Sequence, residues 1–444
     1  MISIIMKKVV KFGGSSLANA EQFQKVGDII RSDESRRYVV PSAPGKRFSA
    51  DTKVTDLLYT CYGKAEAGED FTDVLTEIKG RFYEIIKGLN LDLSLEEEFR
   101  QIEADFKAHA GNEYAASRGE FLNGKVMAAY LGYEFIDSAT VIRFDKNGNF
   151  DADKTDKLLA KRLQKCERAV IPGFYGGMED GTVKTFSRGG SDVTGSLVAK
   201  AIHADIYENW TDVSGFLVTD PRIVENPAVI ETITYRELRE LSYMGATVLH
   251  EDAIFPVRKE GIPINIRNTN APEDKGTLIV EDTCRKPRFT ITGIAGKKDF
   301  ASITIEKAMM NSEVGFCRKV LEVFENNNIS IEHMPSGIDT MTIFVHRDEF
   351  EEKEQDVIAG IHRAVEPDFL ELESDLALIA VVGRGMRATR GTSGRIFAAL
   401  AHANVNVKMI DQGSSELNII IGVRSHDFDA AINAIYDIFV KTMI

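Results

Sequence analysis

Two glycine-containing segments of this 444-residue chain have the residue types expected of an anion site. In the first, Lys11 lies near the end of an apolar stretch, and Gly13, Gly14 and Ser15 follow before a helical pattern begins. Backbone N–H groups at such a turn can approach phosphate oxygens, to which a lysine adds a point charge. The lysine precedes the glycines, so the segment is not the GxxxxGK[ST] phosphate loop. We favour binding of a transferring phosphoryl group over the alternative that Lys11 marks a solvated strand end.

The second segment, Ser187 to Asp192, places Arg188 directly before a Gly-Gly turn that opens a helical pattern. Ser191 and Asp192 occupy positions typical of N-cap residues. An arginine there could bind a carboxylate through two donors. An ordinary strand-to-helix turn would use the same residues, with glycine for geometry and arginine for solubility. The segment alone leaves both interpretations open.

Composition excludes several classes of protein. A net charge of −14 argues against general nucleic-acid binding, and no apolar run reaches the 18 residues typical of a membrane span. The four cysteines form no CxxC pair and the eight histidines no HExxH pattern, so we expect no disulfide framework and no protein-ligated metal. The widely spaced cysteines fit a reducing cytoplasm. The N-terminus lacks the order of a signal peptide, and Met1 and Met6 are alternative starts.

The elements that must position these residues fall into two patterns. Up to about residue 285, short apolar strands alternate with helices, which indicates an α/β fold with a mostly parallel sheet covered on both faces. The last 150 or so residues contain a repeated βαββ(α) unit, in which Asn328 to Ile331 parallels Asn404 to Val407. We predict a catalytic domain at 1–285, a linker or strand at 286–300, and two regulatory modules at 301–372 and 373–444.

Taken together, these motifs resemble the aspartate kinase (aspartokinase) family. The matching segments run in order over nearly the whole chain: Lys11 to Ser16, Arg118 to Glu120, Ser187 to Asp192, Trp210 to Gly215, Asp220 to Arg222, Leu241 to Ala246 and Gln412 to Ile419. The resemblance is to monofunctional members, without a homoserine dehydrogenase half. It implies an amino-acid-kinase-type sheet sandwiched by helices, followed by two ACT modules of ferredoxin-like βαββαβ topology.

The resemblance implies that ATP phosphorylates the side-chain carboxylate of L-aspartate, giving 4-phospho-L-aspartate and ADP. This is the first step of lysine, threonine and methionine biosynthesis. Mg²⁺ would be carried by the nucleotide, and no general base is needed because the nucleophile is already a carboxylate. The implied catalytic residues are Lys11 and Asp192. Substrate contacts are implied for Thr55, Glu120, Arg188 and Ser191. ATP contacts are implied for Lys11, Gly13, Gly14, Ser15, Thr211, Asp212, Leu217 and Arg222.

Some positions depart from the family pattern. Some relatives carry an aromatic residue where this chain has Leu217, and a lysine where it has Asn270. Lys275 is a candidate replacement for that lysine. The loop from Ser42 to Thr55 is longer than in many relatives, which affects the assignment of Thr55.

The ACT pair implies feedback inhibition by an end product, with lysine first and threonine next. The implied effector residues are Met310, Gly315, Phe316, Ser330, Ile331 and Glu332. Glu332 would face an effector cation, with the alternative that it is only a polar strand residue. In relatives the first module is inserted in the second, so residues 288–300 would pair with the last module. The family also implies a homodimer or a dimer of dimers through the ACT modules.

Two rival functions remain at this point. A glutamate 5-kinase or N-acetylglutamate kinase would share the fold, but the Arg188 and Asp192 motif and the ACT pair oppose both. A silent amino-acid sensor would have lost the site, whereas Lys11, Glu120, Arg188 and Asp192 are all present. Which amino acid inhibits, and whether two act together, is left open by the sequence.

Overall fold

The computed structural model describes residues 6–187, 189–246, 249, 251–283 (backbone only at 251 and 252) and 287–442. Contacts divide the chain into two compact units. The first comprises Met1–Phe216, Glu231–Tyr235 and Val248–Thr283. The second comprises Leu217–Ile230, Arg236–Thr247 and Cys284–Ile444. The second unit therefore takes in two stretches that precede the predicted boundary at residue 285.

The first unit is built on an eight-stranded sheet. The strands of this unit are β1 (Lys8–Phe12), β2 (Arg36–Pro41), β3 (Glu134–Phe135), β4 (Ala169–Val170), β5 (Tyr175–Gly177), β6 (Val183–Thr185), β7 (Ile206–Thr211), β8 (Thr232–Thr234), β9 (Ile264–Asn268) and β10 (Thr277–Val280). Of these, β5 and β6 form a separate hairpin, and the others form the sheet. The sheet order is β3-β4-β2-β1-β7-β9-β10-β8. Pairing is parallel except between β9 and β10, which are antiparallel.

Ten helices accompany these strands among the described residues. They are α1 (Ala20–Arg31), α2 (Val54–Glu66), α3 (Thr72–Gly88), α4 (Glu96–Lys107), α5 (Asn112–Leu131), α6 (Ser138–Val141), α7 (Ala152–Leu163), α8 (Gly190–Ala201), α9 (Tyr235–Tyr243) and α10 (Glu251–Lys259). Successive strand residues point to opposite faces, and Val9, Val10, Lys11 and Phe12 are all buried, so both faces are covered. Val10 and Phe12 pack in a core with α1 to α5, while Lys11 faces α8.

A buried ion cluster lies on the same face as Phe12. The Glu208 carboxylate on β7 accepts from Arg36 Nε at 2.8 Å and from Trp210 Nε1 at 2.9 Å. Lys8 Nζ lies 3.3 Å from the other carboxylate oxygen. Glu208 and Arg36 are both buried and have lost their contact with water. Each charge is therefore stabilised by the other.

We expect Glu208→Ala to lower the free energy of unfolding by about 3–5 kcal/mol, because Arg36 would be left as an uncompensated buried charge. Urea unfolding followed by far-UV circular dichroism measures this. Glu103→Ala is the control, since it removes an exposed helix pair with Lys107 that is worth under about 1 kcal/mol. Equal midpoints for the two variants would contradict the assignment.

The second unit contains one six-stranded antiparallel sheet. Its strands are β11 (Gly293–Glu306), β12 (Ile331–His333), β13 (Thr340–His346), β14 (Phe369–Val382), β15 (Met409–Asp411) and β16 (Asn418–Arg424), in the order β12-β13-β11-β14-β16-β15. Its helices beyond α9 are α11 (Phe316–Asn326), α12 (Arg347–Phe350), α13 (Glu354–Val365), α14 (Thr392–His402) and α15 (Phe428–Tyr436).

The two longest strands of this sheet are each shared by two βαββαβ modules. Residues 300–306 of β11 pair with β13 and with the first half of β14, and begin the first module. The second half of β14 begins the second module, and residues 293–297 of β11 supply its last strand. The α/β fold class, with a parallel kinase-type sheet followed by two α+β modules, is therefore confirmed. Among the described residues, none of the helices has the length and apolarity needed to cross a membrane.

Candidate active site

The centre of the candidate site is a buried lysine with two polar partners. Lys11 Nζ lies 2.7 Å from Asp192 Oδ1 and 3.5 Å from Asn209 Oδ1. Asn209 Nδ2 in turn donates to Asp192 Oδ1 at 2.8 Å. The lysine is only 7% exposed, so its ammonium is held in one position by these partners. Such a fixed cation suits a site where negative charge must be neutralised.

Strand pairing explains why these three residues meet. In the parallel sheet Lys11 of β1 lies directly beside Asn209 of β7. Asp192 comes from the first turn of α8, which packs against both strands. β1, β2 and β7 all end at the same edge of the sheet, where loops at the carboxyl ends of parallel strands bind ligands in open α/β folds.

The turn after β1 brings two backbones unusually close. Gly13 N–H donates to Trp210 O at 3.1 Å, and Gly45 N–H donates to Gly14 O at 2.8 Å. A Cβ on Gly14 would lie 2.9 Å from the carbonyl oxygen of Ala43, so a side chain does not fit there without a shift. This contact fixes the loop after β2 against the glycine turn and explains the requirement for glycine.

The start of α8 differs in one detail from the sequence-based expectation. The N-cap residue is Gly189, in the left-handed region with φ 56°, and the helix begins at Gly190. The assignment of Ser191 and Asp192 to N-cap positions was therefore wrong, because both already lie in the first turn. This placement directs the Asp192 carboxylate to Lys11 instead of back to the helix N–H groups. Arg188, the proposed carboxylate ligand, lies outside the described residues.

Glu120 on α5 is a buried carboxyl group next to the same loop. Burial raises its pKa to about 8, against the opposing effect of the Ala43 backbone N–H, which hydrogen-bonds it. Its Oε2 atom is buried and has no hydrogen-bond partner among the described residues. A buried carboxyl oxygen without a donor is costly, which is typical of a group that a ligand completes.

The two remaining substrate candidates lie close to these groups. Thr55, in the first turn of α2, has its Oγ1 3.8 Å from the position that a Cβ on Gly119 would take, beside Glu120. Ser191 is buried and packs on Gly173, whose N–H donates to Pro41 O at the end of β2. Glu120, Thr55 and Ser191 thus all lie next to residues that flank the carboxyl end of β2.

The predicted nucleotide residues are divided between the two units. Thr211 ends β7 and is half-buried, and Asp212, which follows it, is exposed. Ser15 is exposed in the turn after β1. Leu217 and Arg222 belong to the second unit. There Leu217 forms a backbone bridge with Val229. The exposed Arg222 guanidinium donates to both carboxylate oxygens of Asp220 at 2.6–3.0 Å.

Asn270, which departs from the family pattern, and Lys275, the candidate replacement for the missing lysine, lie in the first unit. Asn270 accepts a hydrogen bond from Gln22 at 3.4 Å, and Lys275 is exposed on the same loop after β9.

Sequence reasoning missed three residues of this site. Asn209 completes the lysine cluster, Gly45 contacts Gly14, and Asn123 Nδ2 donates to Ser42 O at 2.6 Å. Asn209 could have been found, because a polar residue inside a strand of a parallel sheet carries the same signal as Lys11. Gly45 and Asn123 had no comparable local signal.

The effector candidates separate into two groups within the second unit. Met310, Gly315 and Phe316 line a cavity of about 240 Å³ together with Asn311, Glu313, Cys317, Ser336 and Gly337. The other candidates follow α11: Ser330 donates its backbone N–H to Glu349, and Ile331 and Glu332 lie on β12. Glu332 Oε2 accepts a hydrogen bond from Tyr243 O–H at 2.7 Å.

The residues at the carboxyl edge fit a nucleotide better than a protein-held metal. Across the described part of the chain, no group of three or more His, Cys, Asp and Glu side chains is arranged to hold a metal ion. The glycine turn and Lys11 suit phosphate oxygens, because backbone N–H groups and a fixed ammonium are the groups that bind them.

Comparison with known proteins identifies the family. The Amino acid kinase family pattern matches residues 6–268, and an ACT domain pattern matches residues 379–439. Aspartokinase 3 of Bacillus subtilis (strain 168) is 41% identical over 450 residues, which cover 97% of this chain and 98% of that protein. The match extends to the second unit as well as the first, so it covers both the candidate site and the paired modules.

Solved structures are similar over the same length. The crystal structure of Clostridium acetobutylicum aspartate kinase has 52% identity and a TM-score of 0.88, over 98% of this chain and all of that one. Escherichia coli aspartokinase III, solved in complex with aspartate and ADP, has 25% identity and a TM-score of 0.70, over 97% and 99% of the two chains. Both relatives are similar across the full chain, kinase unit and modules alike. The chain therefore belongs to the aspartokinase family.

Proposed function

We propose that this aspartokinase transfers the γ-phosphoryl group of ATP to the side-chain carboxylate of L-aspartate. One observation carries the proposal: a fixed cation and a buried, incompletely bonded carboxyl group adjoin the same loop. Ala43 of that loop contacts Gly14 of the Lys11 turn and hydrogen-bonds Glu120. A site for an amino acid that accepts a phosphoryl group needs both features. The E. coli relative, solved with aspartate and ADP, supports this choice of substrates.

The chain's role in transfer is positioning and charge neutralisation. Lys11 meets the oxygens of the transferring phosphoryl group, and Asp192 with Asn209 keeps its ammonium in place. The backbone N–H groups of Gly14 and Ser15 hold the phosphates, since that of Gly13 donates to Trp210 O. Thr211 and Asp212 complete the proposed nucleotide contacts within the first unit, and the roles of Leu217 and Arg222, which belong to the second unit, stay predictions. Mg²⁺, when bound, neutralises phosphate charge and is held mainly by the nucleotide itself.

Aspartate recognition uses groups of opposite charge. The Glu120 carboxylate accepts the α-ammonium, which supplies the donor that its Oε2 lacks among the described residues. Arg188 binds the α-carboxylate through two donors, and Thr55 and Ser191 add hydroxyl contacts. The side-chain carboxylate is then left to face Lys11, and no proton need be removed from it.

A hydroxamate assay with ATP and Mg²⁺ tests this function. We expect turnover with aspartate and none with glutamate or N-acetylglutamate at equal concentrations. Turnover with glutamate alone would indicate a different amino acid kinase, and no turnover with any of the three would indicate a silent sensor.

We further propose that lysine, with threonine as the alternative, inhibits the enzyme through the ACT modules of a homodimer or dimer of dimers. The cavity bounded by Met310, Gly315 and Phe316 is of a size suited to a free amino acid. Glu313 in its wall offers a carboxylate to a ligand cation, although Lys307 and Lys319 already pair with it. Initial rates with lysine, threonine and methionine, alone and in pairs, identify the effector.

Glu332→Ala should raise the lysine concentration for half-inhibition by about tenfold and leave the uninhibited rate unchanged, if Glu332 contacts the effector. Tyr243→Phe is the matched control, because it removes the hydrogen bond to Glu332 and keeps the carboxylate. It should leave inhibition intact or strengthen it. Equal losses of inhibition in both variants would mean that Glu332 acts only as the partner of Tyr243.

A further inference from the structure

The two modules of the second unit follow one plan with a constant offset. The short helical turns Met310–Ser312 and Met386–Ala388, and the starts of α11 and α14, are each 76 residues apart (310 to 386 and 316 to 392). The same offset relates the strand ends. Asp368 N–H donates to Glu306 O at 2.8 Å, and Thr292 N–H donates to Val382 O at 2.7 Å. Asp368 and Thr292 therefore occupy equivalent places.

At this place each module binds a carboxylate, but from a different source. In the first module the backbone N–H of Ala308 donates to Asp368 Oδ2 at 2.7 Å, so the carboxylate comes from within the module. The equivalent N–H in the second module belongs to Arg384. It donates at 2.8 Å to Oε1 of Glu237, which is a residue of α9. The second module has Thr292 where the first has Asp368, and a threonine cannot supply the carboxylate.

The donors around Glu237 form a carboxylate site. Besides the Arg384 N–H, Thr292 Oγ1 donates to Oε1 at 2.6 Å and Arg384 Nη1 donates to Oε2 at 2.8 Å. Glu237 is 0% exposed, whereas Asp368 in the first module is exposed. A fully buried carboxylate that accepts from a hydroxyl, a backbone N–H and a guanidinium is held far more tightly than a surface pair.

Helix α9 also contacts both modules through its later turns. Glu240 accepts from Asn418 Nδ2 of β16 at 2.6 Å, and Tyr243 O–H donates to Glu332 of β12 at 2.7 Å. The Glu240 contact is with the second module, and the Tyr243 contact is an exposed one with the first module. In sequence, α9 begins directly after β8 of the kinase sheet. The helix is thus the covalent connection between that sheet and the carboxylate site.

We propose that Glu237 is a built-in ligand of the second module, replacing the carboxylate that Asp368 supplies in the first. By this contact α9 is tied to the second module, and the tie transmits effector binding to the kinase unit. The regulatory half of the proposal rests on the feedback inhibition proposed above.

Moving the carboxylate back into the module tests the site. Glu237→Ala and Thr292→Asp should each lower Tm, the first by leaving Arg384 without this carboxylate and the second by crowding two carboxylates into one site. The double variant E237A/T292D should melt at least 4 °C above E237A, because the introduced aspartate would take over the donors. Thr292→Asp combined with Glu240→Ala is the control and should show no recovery. If E237A does not accumulate as folded protein, recovery of folded protein in E237A/T292D makes the same comparison.

A double variant no more stable than its Glu237 single variant would overturn the site. The regulatory half is read from the double variant, which should keep its basal rate and need at least tenfold more effector for half-inhibition. Unchanged inhibition in a stabilised double variant would overturn the proposal that the Glu237 contact transmits effector binding to the kinase unit. A wild-type chain without aspartate kinase activity would refute the proposed function instead, and the melting comparison would still decide the site.

Discussion

Replacing Lys11 by methionine should lower kcat for phosphoryl transfer about a thousand-fold or more, with little change in KM for aspartate. The physical reason is that the Lys11 ammonium is fixed by Asp192 at 2.7 Å in a nearly water-free position. A preorganised charge of this kind stabilises the transition state without reorganisation, and single preorganised donors or cations contribute factors of about 10²–10⁵. Methionine keeps an unbranched apolar side chain of similar length and removes the ammonium with its contacts to Asp192 and Asn209.

Two controls make the Lys11 prediction specific. Asp192→Asn should cost less than Lys11→Met, because the ammonium remains and Asn209 Oδ1 still lies within reach. Lys11→Arg should not restore activity, since a planar guanidinium cannot occupy the ammonium position between the same partners. Melting curves establish that each variant is folded. A folded Lys11→Met enzyme with more than a tenth of the wild-type kcat would remove Lys11 from the transfer step.

Glu120→Gln should make the protein more stable at pH 8 and at the same time raise KM for aspartate at least a hundred-fold. In the free enzyme, burial raises the pKa of Glu120 from its ordinary value of 4.5 to about 8. Ionisation of the buried carboxyl group therefore lowers the stability of the free enzyme, and the same group is needed to bind substrate. Glutamine keeps the shape, cannot ionise, and gives the aspartate ammonium no charge partner.

The pH dependence follows from the sign of this pKa change. Between about pH 4.5 and 8 the folded protein holds a proton that the unfolded chain has released, so raising the pH in this window favours unfolding. The stabilising contribution is complete below 4.5 and is lost as the pH rises through about 8. The separation of the two pKa values corresponds to at most about 5 kcal/mol. Glu120→Gln should consequently have nearly the wild-type Tm at pH 5 and a Tm several degrees higher at pH 8.

Calorimetry of aspartate binding gives an independent check on Glu120. Because the substrate ammonium favours the ionised carboxylate, binding at pH 7 should release about one proton, visible as a difference in binding enthalpy between two buffers. Glu120→Gln should abolish this release in whatever binding remains. The same Tm increase at pH 5 and at pH 8 would show that Glu120 is already ionised in the free protein.

Helix α9 suggests how a sensing unit can be grafted onto an existing kinase fold. The first module satisfies its exposed loop N–H with its own Asp368, and its neighbouring cavity is open to solvent. The second module recruits Glu237 from a helix that continues the kinase sheet in sequence. Duplicated modules thus need not have duplicate roles, since one substitution at an equivalent place (aspartate against threonine) changes which segment completes the site.

The sequence by itself was sufficient for the family and the fold class, and it singled out residues such as Lys11 that carry a local pattern. Lys11 with its glycines, and the repeat of the two modules, are patterns within a few neighbouring residues or at a regular spacing. Local patterns report strand ends, tight turns and repeats, because these depend on backbone conformation and on the period of apolar side chains. The N-cap assignment failed because serine and aspartate are typical both of the N-cap and of the first turn. In this helix the N-cap is Gly189, so Ser191 and Asp192 lie in the first turn.

Only the tertiary structure decided which groups share a space. That Asn209 completes the lysine cluster follows from the register of β1 and β7, which are about 200 residues apart in the chain. That Glu120 is buried, and so has a raised pKa, depends on the loop around Ala43 and on packing that no single segment specifies. The recruitment of Glu237 by Thr292 and Arg384 joins three distant segments. Register, burial and long-range pairing are properties of the packed chain, so they appear only when the whole fold is present.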